Sequence, residues 1–324
     1  MTVNLTTSFA GLELKNPIIA SASPLTATPE LCLNLEKAGA AAIVVKSIFE
    51  KSIAHNAHSL SSNLSHGEES DYLDGYIAEQ MVSEWRNTLI GIKKLCSIPI
   101  IASIAAQSPS AWTRYAKVAT EAGADAIEMN LMNVGLCTRH TKYGVVEQQF
   151  LDMVDCVRSA TSLPVGVKLA ANITNPAALV DRLVARGIKG VVLFNRPYPV
   201  DIDIEKGEYC VNSNTTSSTF LARPLRWTGI LSAEIPSVDY ALSGGVQSGE
   251  DVIKAILAGA SAVCVCSTLY KNGIEHIETM LATIRDWQER HFEETIDQFK
   301  GRMNASKEAF ADELLRAQYL HYTV

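Results

Sequence analysis

A chain of 324 residues and 35.1 kDa is long enough for one α/β barrel or for two domains of ordinary size. With 47% hydrophobic and 19% charged side chains it reads as soluble and globular, and no apolar run approaches the roughly 20 residues that span a bilayer. A formal net charge of -7 disfavours a nucleic-acid partner.

The first residues, MTVNLTTSFAGLELKNP, carry neither a basic nor an apolar leader, so no secretory signal is expected. The seven cysteines follow no zinc-ribbon or CxxC spacing and read as reduced thiols of a cytoplasmic protein. Residues 3–14 alternate and turn at Ala10-Gly11, which predicts a hairpin within 1–15. NPIIASA (16–22) is the first buried strand, followed by a helix over 29–38 and a second strand in LEKAGAAAIVVKS (35–47). The stretch 50–75 is polar and without periodicity, which predicts a long loop, either a lid or simply solvated. After it come a helix over 76–96, the strand IPIIASI (98–104), a helix over 110–122 and a strand in ATEAGADAIEMN (119–130). A helix over 146–160, the strand LPVGVKLA (163–170) and a helix over 176–186 lead to a strand in LVARGIKGVVLFN (183–195). The helix 223–234, the strand YALSGGV (240–246), the helix 249–258 and the strand in AILAGASAVCVCS (255–267) complete the pattern. A helix over 274–290 and a helical tail, 291–324, close the chain.

One plan recurs: a helix ends, Gly39, Gly123, Gly187 or Gly259 supplies the left-handed stop, and a short apolar strand ends on a polar residue. The strands are continuous apolar runs, as in parallel sheets covered on both faces. Eight strand–helix units in one domain, 1–324, predict a (β/α)8 TIM barrel. A doubly wound sheet is the rival, weakened because no GxGxxG follows any strand.

A barrel gathers the C-terminal ends of its strands around one mouth. Those ends carry Ser21 to Ser23, Lys46 with Ser47, Ser103, Asn130, Lys168, Asn195 with Arg196, Gly244-Gly245 and Cys266-Ser267. Any one of these lysines could snorkel to water. Two of them, converging with two asparagines and an arginine, point to a ligand site. The glycines after the seventh strand and the CSTL turn after the eighth suit backbone binding of a phosphate. Ser248 is placed to cap the following helix, with Asp251 completing part of a capping box.

NPIIASASP, the KS of strand two, EMNL, VKL, LFNR, LSGGVQSGEDVIKAILAGA, CSTL and the closing DQFKGRM appear in the order seen in soluble-class dihydroorotate dehydrogenases. The chain resembles that family over nearly its whole length, and most closely a bacterial dihydroorotate dehydrogenase-like subgroup. The resemblance implies a cytoplasmic flavoprotein of pyrimidine biosynthesis, usually a dimer, with FMN across the strand ends. Ser21 and Ser23 would line the flavin, and Lys46, Ser47, Ser103 and Asn130 would face flavin or substrate. Lys168 would face the edge of the ring that becomes anionic on reduction. Gly244, Gly245, Cys266 and Ser267 would hold the phosphate, Ser217 and Ser218 would approach the flavin, and Asn133 and Asn195 would bind substrate.

One loop departs from the family. Its NLSCPN, whose Cys takes the substrate proton, reads NLMNVGLC here, so Met132 stands near the place of the base. Cys137 and His140 are the candidate replacements, with Tyr143 a weaker third; for Cys137 and His140 the rival reading is an ordinary loop residue. Arg196 suits a bidentate grip on a carboxylate or a surface ion pair. No iron–sulfur or metal-ligand spacing is present, so an electron-transfer cluster would belong to a partner subunit. Three functions follow: FMN-dependent oxidation of dihydroorotate, a flavin- or partner-binding homologue without that turnover, and a flavin-free barrel acting on a phosphorylated substrate.

Overall fold

The computed structural model describes residues 3–61, 68–132, 141–142, 144–196, 199–211 and 215–316; within 56–61 and 68–74 it describes the backbone alone. The chain opens on an antiparallel hairpin, β1 (Thr7–Phe9) with β2 (Leu12–Leu14), turning at Ala10 and Gly11, both at positive φ. Eight parallel strands then close into a barrel. They are β3 (Ile18–Ala20), β4 (Ala42–Phe49), β5 (Ile100–Ala105), β6 (Ala126–Leu131), β7 (Val165–Ala170) and β8 (Gly190–Asn195), then, beyond a short excursion, β11 (Asp239–Ser243) and β12 (Ala262–Val265). The excursion is an exposed antiparallel pair, β9 (Val200–Asp203) and β10 (Glu208–Val211).

The helices wrap this barrel: α1 (Pro29–Lys37), α2 (Glu50–Ser61), α3 (Glu68–Leu95), α4 (Pro109–Glu121), α5 (Val145–Ala160), α6 (Pro176–Val184), α7 (Ala222–Glu234), α8 (Gly249–Leu257), α9 (Ser267–Asn272), α10 (His276–His291) and α11 (Glu308–Leu315). Three of them start on the same local device. Thr28, Ser108 and Asn175 each accept a backbone N–H of the first turn, and a proline follows at the first helical position. Gly39, Gly123, Gly187 and Gly259 all take positive φ, as the recurring helix–Gly–strand plan predicts.

Strand alternation divides the core in two. Ile43, Val45, Ile100, Ala102, Ile127, Met129, Val165, Val167, Val191 and Leu193 face outward, under the helices. Ile19, Val44, Ile101, Ala126, Val192, Ala241 and Cys264 face inward, and the hairpin residues Phe9, Ala10, Leu12 and Leu14 join them. The hairpin therefore plugs the bottom of the barrel. Gly190 makes room for it: a Cβ there would lie 2.7 Å from the Ala10 Cβ and 2.9 Å from the Phe9 ring.

Four expectations are corrected. The stretch 50–75 is not a loop; its described backbone is helical, as α2 and the first turns of α3. Glu50 anchors it by accepting the Ser108 N–H at 2.9 Å and the Ser108 hydroxyl at 2.6 Å. The tail is less helical than expected, with a 3₁₀ turn at Ile296–Gln298, turns around Gly301 and, among the described residues beyond them, α11 alone. The pair β9–β10 was not expected at all. Ser248 precedes α8 in extended backbone but makes no side-chain cap; Asp251 instead accepts the Gln247 N–H at 3.0 Å.

Candidate active site

The interior of the barrel turns polar toward the mouth. Ser103 on β5 pairs in register with Glu128 on β6, and Asn130 on β6 with Lys168 on β7. All four point inward. Ser103 is fully buried, Glu128 is 4% exposed and Lys168 8%. The Ser103 hydroxyl lies 2.7 Å from that of Ser47 and 3.4 Å from the Glu128 carboxyl, and the Lys168 ammonium donates to Ser21 Oγ at 3.1 Å. A register shift in β4 between Val45 and Ile48 turns Ser47 toward Ser103 and leaves Lys46 exposed.

Above this layer opens a cleft of about 180 Å3. Ser21, Lys168, Asn195, Arg196, Thr216, Gly244, Gly245, Cys266 and Ser267 line it, with Ala22, Phe194, Ser243, Val246 and Cys264. The phosphate-like end is built from three segments. Gly244 and Gly245 follow β11 at positive φ. At Gly245 a Cβ would lie 2.3 Å from the Leu221 backbone nitrogen, so only glycine fits; at Gly244 it would meet nothing within 4 Å, leaving that side of the cleft open. Thr216 locks the rim: its N–H and its hydroxyl both reach Ser267 Oγ, at 3.0 and 3.2 Å, which leaves the Ser267 hydroxyl proton free to donate outward. Lys271 donates to the Thr216 carbonyl at 2.8 Å and holds that rim in place.

The other side carries the amides. Asn195 Nδ2 donates to Asn130 Oδ1 at 2.7 Å, and Asn195 Oδ1 accepts the Arg196 N–H at 2.8 Å. The Arg196 guanidinium lies 4.9 Å from the centre of the Phe220 ring, a cation–π contact that holds it over the rim. Burial keeps the two thiols here protonated. Cys264 is pushed up to about 12, and Cys266 is raised above 9.0 by burial despite a hydrogen bond with Ser23 and the nearby Lys168 charge. Neither is a nucleophile or a base at neutral pH.

A family model described as dihydroorotate dehydrogenase matches residues 4–287. The chain belongs to the dihydroorotate dehydrogenase family. Among its relatives is the catalytic subunit of dihydroorotate dehydrogenase B (NAD(+)) of Methanosarcina acetivorans, 30% identical over 275 residues, which are 81% of this chain and 85% of that protein. The catalytic subunit of the same name from Methanocaldococcus jannaschii is 26% identical over 84% of this chain and 89% of its own length. A chloroplastic dihydropyrimidine dehydrogenase (NADP(+)) of Arabidopsis thaliana is 26% identical over 62% of this chain and 51% of that protein.

Within this dehydrogenase fold, Ser21, Lys168, Asn195, Arg196, Gly244, Gly245, Cys266 and Ser267 meet in one cleft, as the strand-end argument predicts. Asn130 joins them through Asn195 and lines a small recess beside Met132. Ser47 and Ser103 belong to the layer beneath. Ser23 is buried and caps the turn at Pro24–Thr26 by accepting the Leu25 N–H at 3.2 Å. Lys46 lies elsewhere, lining with Ser47, Phe49, Ile53, Met81 and Trp85 a second cleft of about 390 Å3 between β4, α2 and α3. Ser217 and Ser218 are exposed and do not line the main cleft; the preceding residue, Thr216, does. Asn133, Cys137, His140 and Tyr143 lie outside the described residues. Sequence reasoning missed Thr216, Lys271 and Glu128. The last had a signal: a lone glutamate at an inward position of an apolar strand.

Proposed function

We propose that this chain is an FMN-dependent oxidoreductase that converts dihydroorotate to orotate. The observation that carries the reading is the convergence, in a chain matching the family over 4–287, of a buried lysine, an amide pair and a double-glycine turn on one cleft. These residues fit FMN. The open backbone at Gly244, the Gly245 approach and the free hydroxyl proton of Ser267 suit a phosphate, and Lys168 with Ser21 suits a polar ring edge. A volume of about 180 Å3 is that of one end of such a ligand, and Asn130, joined to Asn195, extends the polar lining beyond it.

When bound, FMN supplies a two-electron acceptor whose reduced ring carries negative charge. Lys168 would stabilise that charge, because a fixed cation in a water-poor site acts without reorganising. The Asn130–Asn195 pair would hold the amide and carbonyl edge of the substrate ring, and Arg196 its carboxylate. Oxidation removes a hydride from one carbon and a proton from its neighbour, and we assign the proton to Cys137 or His140. The relatives named as catalytic subunits motivate a partner subunit that receives the electrons, and we place the working enzyme in the cytoplasm as a homodimer.

One observation favours a second reading. Met132, 37% exposed at the end of β6, stands near where the family keeps its base, and a thioether accepts no proton in this chemistry. A different dihydropyrimidine, or flavin binding without turnover, would suit that change. Anaerobic titration of the purified protein with dihydroorotate, read by flavin absorbance, separates the readings. Bleaching at stoichiometric substrate supports dihydroorotate oxidation. An oxidised spectrum that stays unchanged favours the second reading, and a colourless protein without extractable flavin overturns the FMN site.

A further inference from the structure

The reaction assigned above gives no role to a carboxyl buried inside the barrel. Glu128 projects from the middle of β6 into the barrel, 4% exposed, directly beneath the cleft. On the β7 side its register partner is Gly166, whose missing side chain leaves the carboxyl room. On the β5 side it meets Ser103, its one hydrogen-bond partner among the described residues, at 3.4 Å. The charged and titratable groups that face it are Lys168 on β7 and Cys264 on β12. The thiol is held protonated by burial. Lys168 forms no ion pair within 4.0 Å among the described residues and donates to Ser21 instead.

A carboxylate in this position would be stripped of water with one long hydrogen bond and no contacting cation. A buried acid so placed keeps its proton rather than its charge. The consequence reaches the cleft. Were Glu128 ionised, it would cancel much of the Lys168 field; as a neutral acid it leaves the floor of the cleft with a net positive charge. We propose that Glu128 is a positioning residue of this site, a protonated carboxylic acid that completes the polar floor beneath Lys168 while leaving the lysine's charge available to an anionic ligand. Burial outweighs both Lys168 and the Ser103 hydroxyl in raising its pKa above 4.5, which agrees with that geometry.

The role has a pH signature. A negative group bound above Lys168 raises the Glu128 pKa further, because it disfavours a second anion nearby. Between the titrations of the free and the liganded protein, ligand binding must therefore take up a proton. The affinity of the wild type then falls with rising pH, by about tenfold for each unit by which the ligand raises that pKa. Glu128→Gln, which cannot ionise, escapes this fall. The ligand named here rests on the FMN reading, but the protonation state does not.

The test has two arms on the full-length protein. In the first, the side-chain carboxyls of Glu are labelled with ¹³C, and the Glu128 signal is identified by its loss in Glu128→Gln, or by its shift in Ser103→Ala if the glutamine variant does not fold. A signal at the protonated position at neutral pH is expected; one at the ionised position overturns the proposal. In the second, the affinity of deflavinated protein for reduced FMN, whose ring is anionic, is measured anaerobically against pH. Wild type and Glu128→Gln should agree near neutrality and diverge at alkaline pH; profiles that superimpose throughout overturn the coupling. Failure of both proteins to bind FMN at any pH sinks the FMN reading instead, and leaves the first arm to decide the state of Glu128.

Discussion

Gly245→Ala tests the closest backbone approach at the cleft. The added Cβ would sit 2.3 Å from the Leu221 nitrogen, 2.7 Å from its Cα and 2.8 Å from the Phe220 carbonyl carbon. Carbon contacts are optimal near 3.5–4.0 Å, so each is far inside contact, and all three atoms are backbone. No rotamer change relieves them; the 220–221 segment must move. The positive φ of +84° adds a second cost of about 1–2 kcal/mol for a residue with a Cβ. Forced repacking typically costs about 1–3 kcal/mol more. The expected loss is thus about 2–5 kcal/mol. Gly244→Ala is the internal control. Its φ is +99°, but its Cβ meets nothing within 4 Å, so it should lose only the backbone cost of about 1–2 kcal/mol. Reversible urea denaturation followed by far-ultraviolet circular dichroism measures both. Equal stabilities for the two variants would refute the claim that Leu221 presses on this turn. A companion measurement of retained flavin should also separate them. Displacing the 220–221 segment moves Phe220, which carries Arg196, and pulls on Thr216, whose hydroxyl accepts the Gly245 N–H at 3.4 Å.

The barrel plug gives a second test. Gly190→Ala drives a Cβ to 2.7 Å from Ala10 and should cost about 1–3 kcal/mol. Adding Ala10→Gly should recover part of that cost, because it removes the nearest clash and relaxes a residue at φ +54°; strict additivity in the double-mutant cycle would count against the plug. A third concerns pH. Burial works against the Glu36 carboxylate, yet hydrogen bonds from the Ser97 hydroxyl and N–H hold its pKa below the ordinary 4.5. A carboxylate lowered in the folded state contributes stability above its unfolded pKa and loses it as pH falls through the folded one. The destabilisation caused by Glu36→Gln should therefore be present at neutral pH and shrink below about pH 4.5; a penalty unchanged down to acid unfolding would show that the charge plays no part.

What the sequence reveals of this fold, and what it conceals, follows from periodicity. Strand ends are legible because apolar strands, each introduced by a helix and a glycine, fit a barrel, and a barrel sends all its strand ends to one mouth. Lys168, Asn195 and Gly244-Gly245 were found that way, though five separate strand units supply the cleft that unites them with Ser21. Residues contributed by loops obey no period. Thr216 sits in the run SNTTSSTF, where nothing local tells one hydroxyl from its neighbour, and the choice of Ser217 and Ser218 missed by a single residue. The stretch 50–75 failed for the opposite reason. Its helices are rich in Ser, His and Asn, and the apolar stripe of α3 that packs on the barrel, Val82, Trp85, Leu89 and Ile92, begins only near its middle.

Lys46 and Ser47 show the limit most sharply. Period-two alternation allows only one of two consecutive residues to face inward, so the sequence pattern assigns the lysine to the mouth with Val44 and the serine to the helices. The register shift between Val45 and Ile48 reverses that assignment: Ser47 turns in to meet Ser103, Ile48 turns out into the helix-facing core, and Lys46 is left exposed beside the second cleft. A bulge adds one residue to one strand against its neighbour, and no composition marks it. Its result is a chain of hydrogen bonds, Ser47 to Ser103 to Glu128, that runs from the wall of the larger cleft into the barrel interior.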